Sequence, residues 1–192
     1  MIAIVKYNAG NNRSVENALK RLGCESVTTD DSEVLRTAEK VIFPGVGEAS
    51  TAMEYLKEKG LDKVLTELTQ PVMGICLGLQ LLCKNTEEGS TKCLGIFDAE
   101  VKRFPELDLV PQIGWNNFEL IDNPIFEGVS TIDDVYFVHS YYSELCDETV
   151  ASSNYIIPFS AALNKDNFYA CQFHPEKSGP VGEQILKNFL EL

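Results

Sequence analysis

Residues Gly74-Ile75-Cys76-Leu77-Gly78-Leu79-Gln80 set a thiol between glycines two residues before and two residues after it. The apolar run Pro71-Val72-Met73-Gly74-Ile75 leads in, and a helical pattern starts directly behind. This is the cysteine counterpart of the G-x-S-x-G nucleophile elbow. A nucleophile on a sharp strand-to-helix turn needs such glycines, because neighbouring Cβ atoms would collide. The turn puts Cys76 at a helix N-terminus, whose partial positive charge favours the thiolate. It also aims the Leu77 N–H at the place where an oxyanion would form. The chemistry is attack on an acyl carbon. A cysteine without such a context most often just packs, and Cys24, Cys83, Cys93, Cys146 and Cys171 read as core or surface thiols.

A thiolate nucleophile needs a base, and the chain holds two histidines. His174 lies in Gln172-Phe173-His174-Pro175-Glu176, where Pro175 ends any strand ladder and exposes the ring at the sheet's rim. Glu176 can accept from the far ring nitrogen, fix the tautomer and stabilise imidazolium. Cys76 and His174 are 98 residues apart, so the fold must bring them together. His139, inside the aromatic run Tyr136 to Tyr142, has no such carboxylate behind it and reads as a packed, hydrogen-bonded histidine. Pro44-Gly45-Val46-Gly47 closes another apolar run. Its glycines let the peptide around Val46 take more than one orientation, so Val46–Gly47 can offer a second oxyanion donor beside Leu77. A plain strand-to-helix turn is the alternative there.

The elements that must position these groups alternate in the first half. Strands are predicted over 2–7, 24–29, 41–43 and 71–75, with helices between them. Ser14 and Ser32 are expected as helix caps, and Gly23 and Gly60 as helix stops. Such alternation implies parallel β-α-β units with right-handed crossovers. After Leu94, segments 95–104, 113–120, 135–139, 155–163 and 168–173 read as strands with antiparallel pairing. A last helix from about Ser178 buries Val181, Ile185, Leu186 and Phe189. The expected fold is α/β, a flavodoxin-like three-layer sandwich with a mostly parallel central sheet and an antiparallel extension in the second half, all in one domain, 1–192.

The 192 residues carry 16 basic and 29 acidic side chains, a net charge of −13, and 44% are hydrophobic. That is enough apolar material for a core. No Lys/Arg run exceeds a pair, so no nucleic-acid partner is expected, and an anionic membrane would repel this surface. No stretch reaches the ~20 apolar residues of a membrane span. The apolar start Met1-Ile2-Ala3-Ile4-Val5 reads as a strand rather than a signal peptide. The cysteines form no C-x-x-C pair, which argues against a metal site and for reduced thiols in the cytoplasm.

Taken together, the glycine-bearing loop, the G-x-C-x-G elbow and the H-P-E triplet, in that order along the whole chain, resemble the class I (triad) glutamine amidotransferases. Further motifs are similar to one branch, the glutaminase subunits of imidazole glycerol phosphate synthases. They are Tyr7-Asn8-Ala9-Gly10-Asn11-Asn12-Arg13-Ser14-Val15, Pro44-Gly45-Val46-Gly47, Gly114-Trp115-Asn116, Tyr136-Phe137-Val138-His139-Ser140-Tyr141, and Phe173 to Gly179. Lys6, Asn8 and Leu79 depart from the common pattern. The resemblance implies hydrolysis of L-glutamine to glutamate and ammonia by Cys76, His174 and Glu176, without cofactor or metal. It implies that Gly45, Gly47, Gln80, Glu88, Ser140 and Tyr141 hold substrate. It also implies a heterodimer with a (β/α)8 cyclase subunit that uses the ammonia in histidine biosynthesis, with Asn11, Trp115 and Lys177 toward the interface. Three alternatives stay open: the glutaminase subunit of anthranilate or pyridoxal phosphate synthase, a protease-type cysteine hydrolase, and a non-catalytic partner module on the same fold.

Overall fold

A computed structural model of the protein describes residues 1–8 and 12–192. Asn11, expected at the partner interface, lies outside the described residues. The first half runs β1 (Ile2–Val5), α1 (Asn12–Arg21), β2 (Ser26–Thr29), α2 (Ser32–Thr37), β3 (Lys40–Phe43), α3 (Ala49–Glu58), α4 (Leu61–Thr66), β4 (Val72–Ile75) and α5 (Leu77–Leu82). The second half contains β5 (Asn85–Thr86), β6 (Thr91–Lys92), β7 (Glu100–Arg103), β8 (Gln112–Asn116), β9 (Leu120–Ile121), β10 (Val135–His139) and β11 (Tyr141–Ser143). It ends with β12 (Thr149–Asn154), β13 (Pro158–Lys165), β14 (Phe168–Cys171) and α6 (Gly179–Glu191).

Eight strands form the central sheet in the order β2-β1-β3-β4-β14-β13-β12-β9. Its first five are parallel to one another, and the last three run antiparallel to their neighbours. Because successive strand residues point to opposite faces, Ala3, Val5, Val41, Phe43 and Val72 pack on one side with the buried residues of α2 to α5. Ile2, Ile4, Ile42, Met73 and Ile75 pack on the other with Val15, Ala18 and Leu19 of α1 and Ile185, Leu186 and Phe189 of α6. Helices on both faces of a mostly parallel sheet make the three layers. Two smaller sheets, β10-β8 and β11-β7-β5-β6, complete the second half.

Strands β12, β5 and β6 are not expected from the sequence, and three further details differ. Helix α2 is capped by Asp31, whose carboxylate accepts from the Glu33 and Val34 N–H groups, and not by Ser32. Helix α1 begins at Asn12, two residues before Ser14. The segment 168–173 is antiparallel only toward β13, to which a short turn joins it; on its other edge it pairs in parallel with β4. That insertion sets the last strand directly beside the strand that carries Cys76.

Candidate active site

Cys76 follows β4 with φ +54° and ψ −107°, a region costly for any residue with a side chain. The surrounding packing holds it there. Its N–H donates to the Cys171 carbonyl of β14 at 2.8 Å, and its own carbonyl accepts from Gln80 N–H at 3.3 Å. The flanking glycines leave no room for anything larger. A Cβ on Gly74 would stand 2.8 Å from Leu82 Cδ1, and one on Gly78 would stand 1.8 Å from the Phe43 carbonyl oxygen. The elbow is therefore wedged between the C-terminal ends of β3 and β14.

His174 leaves the end of β14 three residues after Cys171. Its N–H donates to the Tyr136 carbonyl of β10 at 2.9 Å. Ser178 Oγ donates to the His174 carbonyl at 2.7 Å and accepts from Tyr136 N–H at 2.9 Å, stitching the loop to β10. His174 Nδ1 pairs with Glu176 Oε1 at 2.8 Å, and both groups are buried. Among the described residues Nε2 completes no well-aligned hydrogen bond, yet the Cys76 sulfur is close enough to interact with the ring. A near but loosely aligned contact is usual in an unliganded catalytic pair. Burial opposes protonation of His174 most strongly, but the Cys76 sulfur and the Glu176 carboxylate together outweigh it, pushing His174 up to about 10. The imidazolium form is thus the stable one at neutral pH beside the sulfur.

The Pro44–Gly47 loop passes over the elbow. Tyr7 Oη donates to the Pro44 carbonyl at 2.7 Å, and a Cβ on Gly45 would stand 1.9 Å from the same Tyr7 Oη, so Tyr7 pins the loop from below. Burial drives the Tyr7 phenol far above its ordinary range, with Cys76 a smaller cause, so it stays a neutral donor. Gly47 has φ +122°, which its lack of a side chain permits. Contrary to the sequence expectation, the Leu77 N–H does not face open space: it donates to the Gly45 carbonyl at 3.3 Å. Part of the expected oxyanion site is closed on its own loop in this conformation.

A cavity of about 300 Å³ opens above Cys76, walled by Val46, Gly47, Leu77, Gln80, Glu88, Pro111, Val138, His139, Ser140 and Tyr141. Of the residues expected to hold substrate, Gly45 alone stays out of this wall, buried against Tyr7 and Leu77. Gln80 Nε2 donates to the Tyr141 carbonyl at 3.1 Å. Glu88 Oε2 accepts from the Ala49 N–H at the start of α3 at 2.8 Å, and burial raises its carboxyl above the usual range. Among the described residues no group of three or more His, Cys, Asp or Glu is arranged to hold a metal.

His139 is enclosed by Phe104, Phe137 and Phe159. Its Nδ1 sits 2.7 Å from the Tyr141 carbonyl and its Nε2 2.9 Å from the Gln112 amide. Burial pulls it down to about 4, against the Tyr141 hydrogen bond that favours the charged form. It is a neutral core histidine. The folded value lies below the unfolded ~6.5, so its contribution to stability is full above about pH 6.5 and is lost as pH falls toward 4. At pH 5 the loss is about 2 kcal/mol relative to pH 7. In urea titrations, the stability gap between wild type and His139→Gln should therefore be smaller at pH 5 by that amount; an unchanged gap would contradict the assignment.

One outward face belongs to the β8–β10 ribbon. Register pairs Trp115 with Tyr136 and Ile113 with Val138, and directly paired residues share a face. Ile113 is 64% exposed and Trp115 58%. Trp115 meets the Tyr136 ring edge-to-face at 5.8 Å, and Lys177 Nζ lies 6.0 Å from the same ring. Val138 joins this apolar face to the cavity wall, and its carbonyl oxygen lies 3.9 Å from the Cys76 sulfur. Sequence reasoning named Trp115 and Lys177 but missed Ile113, Tyr136 and Val138, although the alternation in 135–139 marks the outward pair.

The fold and the site define a glutamine amidotransferase. The chain belongs to the class-I glutamine amidotransferase family, whose model matches residues 3–192. It is 59% identical to the imidazole glycerol phosphate synthase subunit HisH of Bacteroides fragilis (strain YCH46), over 100% of this chain and 99% of the relative. It is 44% identical to the HisH subunit of Haemophilus influenzae (strain Rd), over 99% and 96%. Among solved structures, a glutamine amidotransferase superposes with a TM-score of 0.77 at 23% identity, over 100% of this chain and 98% of the other. The glutaminase domain of Trypanosoma brucei CTPS with bound acivicin gives 0.63 at 18% identity, over 99% and 93%. These two likenesses concern the fold.

Proposed function

We propose that residues 1–192 work as one domain, the glutaminase subunit of an imidazole glycerol phosphate synthase, with Cys76 as nucleophile. The observation that carries the chemistry is the line Cys76–His174–Glu176, with the imidazole held at Nδ1 and its Nε2 left for the sulfur. The Cys76 thiolate adds to the side-chain amide carbon of L-glutamine, and the carbonyl electrons move onto oxygen. The imidazolium of His174 gives its Nε2 proton to the amide nitrogen, the C–N bond breaks, and ammonia leaves a γ-glutamyl thioester. His174 then takes a proton from water. The resulting attack breaks the C–S bond, releases glutamate and restores the thiolate–imidazolium pair. Glu176 holds the ring and offsets its charge through both steps. Gly47, Gln80, Glu88, Ser140 and Tyr141 are suited by position to seat the amino-acid end.

The outward ribbon of Ile113, Trp115, Tyr136 and Val138 beside Lys177 suits docking of the (β/α)8 cyclase subunit, because it is apolar and continuous with the cavity. Ammonia released there reaches the partner without crossing bulk water. The enzyme serves histidine biosynthesis, and we place it in the cytoplasm; no helix among the described residues is long and apolar enough to cross a membrane. If Lys177 contacts the partner, Lys177→Ala should weaken association about fivefold by titration calorimetry, with the melting temperature unchanged. Unaltered affinity would remove it from the interface.

The closed contact between Leu77 N–H and the Gly45 carbonyl fits a loop that waits for its partner. Reorienting the Val46–Gly47 peptide and freeing Leu77 would complete an oxyanion site. The test is glutamate release by the chain alone, with the cyclase, and with cyclase plus acceptor nucleotide. A slow rate alone and a large rise in the loaded complex support the reading. Release that ignores the cyclase moves the protein to another synthase, and release that ignores only the acceptor removes the waiting loop.

A further inference from the structure

Gln172 is fully buried between Cys171 and Phe173 on the segment leading to His174. Its apolar neighbours fill such a position without needing partners; Gln172 has partners at both ends. Nε2 donates to the Cys76 sulfur at 3.6 Å, and Oε1 accepts from Gln80 Nε2 at 3.1 Å. Gln80 in turn donates to the Tyr141 carbonyl at 3.1 Å and stands in the cavity wall. With its oxygen accepting from Gln80, the amide turns its NH2 group toward the sulfur. A thiol is a weak acceptor and a thiolate a strong one, so a fixed, desolvated donor acts almost wholly on the charged form.

We propose that Gln172 is a positioning residue for the nucleophile, holding the Cys76 sulfur as thiolate and tying it through a continuous hydrogen-bonded line to Gln80 in the cavity wall. The inference rests on the reading of Cys76 as nucleophile. It assigns the segment 172–176 two contacts with one sulfur: an uncharged donor from Gln172 and the ring of His174, with Glu176 behind the ring.

The test is the pH dependence of Cys76 alkylation by iodoacetamide on the full chain, followed at the Cys76 peptide by mass spectrometry so that other thiols do not count. Gln172→Met keeps the volume and removes the donor. Its half-maximal pH should lie about one unit above that of wild type, and kcat for glutamate release in the cyclase complex should fall about tenfold. Gln172→Glu keeps the shape and turns a carboxylate on the sulfur, so its midpoint should rise further. Folded variants with the wild-type pH profile would make Gln172 a packing residue and overturn the proposal. If neither variant folds, Gln80→Met frees the amide while leaving it in place and should raise the midpoint by a smaller step; no step overturns the proposal equally. Failure of the nucleophile reading would show separately, as glutamate release that survives Cys76→Ala.

Discussion

Glutamate release from L-glutamine is expected to fall by at least about 10⁴-fold when Cys76 becomes alanine, measured in the complex with cyclase and acceptor nucleotide. Among the described residues Cys76 is the one thiol in the cavity wall. In the proposed mechanism His174 and Glu176 act as acid–base and orienting groups, and Gln80 Nε2 donates to Tyr141 and Gln172. The strained backbone at residue 76 is imposed by the Cys171 carbonyl, the Gly74 and Gly78 contacts and the helix behind it, none of which involves the thiol. Alanine should therefore fold, bind the cyclase and melt within a few degrees of wild type. A residual rate within about tenfold of wild type would place the nucleophile elsewhere.

Gly78→Ala should produce the largest loss of stability of any single methyl addition considered, above about 4 kcal/mol, seen as insoluble protein or collapse of the urea midpoint. The added Cβ would stand 1.8 Å from a backbone oxygen of Phe43, and backbone in a central parallel strand cannot yield as a side chain can. Phe43 is paired with Gly74 across β3 and β4, so relief requires parting the strands that hold the elbow. Gly23→Ala is the useful contrast. Nothing among the described residues lies within 4 Å of that Cβ, and the left-handed φ of +76° is what opposes it, a cost of about 1 kcal/mol. Similar midpoints for the two variants would refute the steric account.

The helical half of the fold was legible because its signals are local. Apolar spacing, the stops at Gly23 and Gly60 and the junction at Cys76 all lie within a few residues of what they determine. The partner of β14 was not legible, since nothing in Phe168–Cys171 distinguishes a strand that pairs on one edge from one inserted between β13 and β4. Strand β12, Thr149–Asn154, escaped notice because its sequence TVASSN carries few large apolar residues, although Ala151 and Ser153 are buried. Two-residue strands such as β5 and β6 have no periodicity to read. At the site, the G-x-C-x-G and H-P-E patterns announced themselves by residue type. The engagement of Leu77 N–H with Gly45 is a long-range backbone contact without a side-chain signature, and the role argued for Gln172 depends on a thiol 96 residues away.

The insertion of β14 between β4 and β13 also sets the order in which the molecule can be built. Strands β1 to β4 form a sheet from their own sequence neighbourhood, but the edge of β4 stays open until a segment nearly 100 residues later closes on it. Pairings of such sequence separation pay their loop-closure entropy before any contact rewards it, so they form late. During synthesis, the chain therefore carries its thiol on an unfinished sheet over the 95 residues that separate Cys76 from Cys171. The imidazole and the hydrogen bond from Cys76 N–H to Cys171 arrive together with the strand that seals the sheet. A partly made chain has no ammonia-releasing site to misfire, and competence appears in the same cooperative event as the native topology.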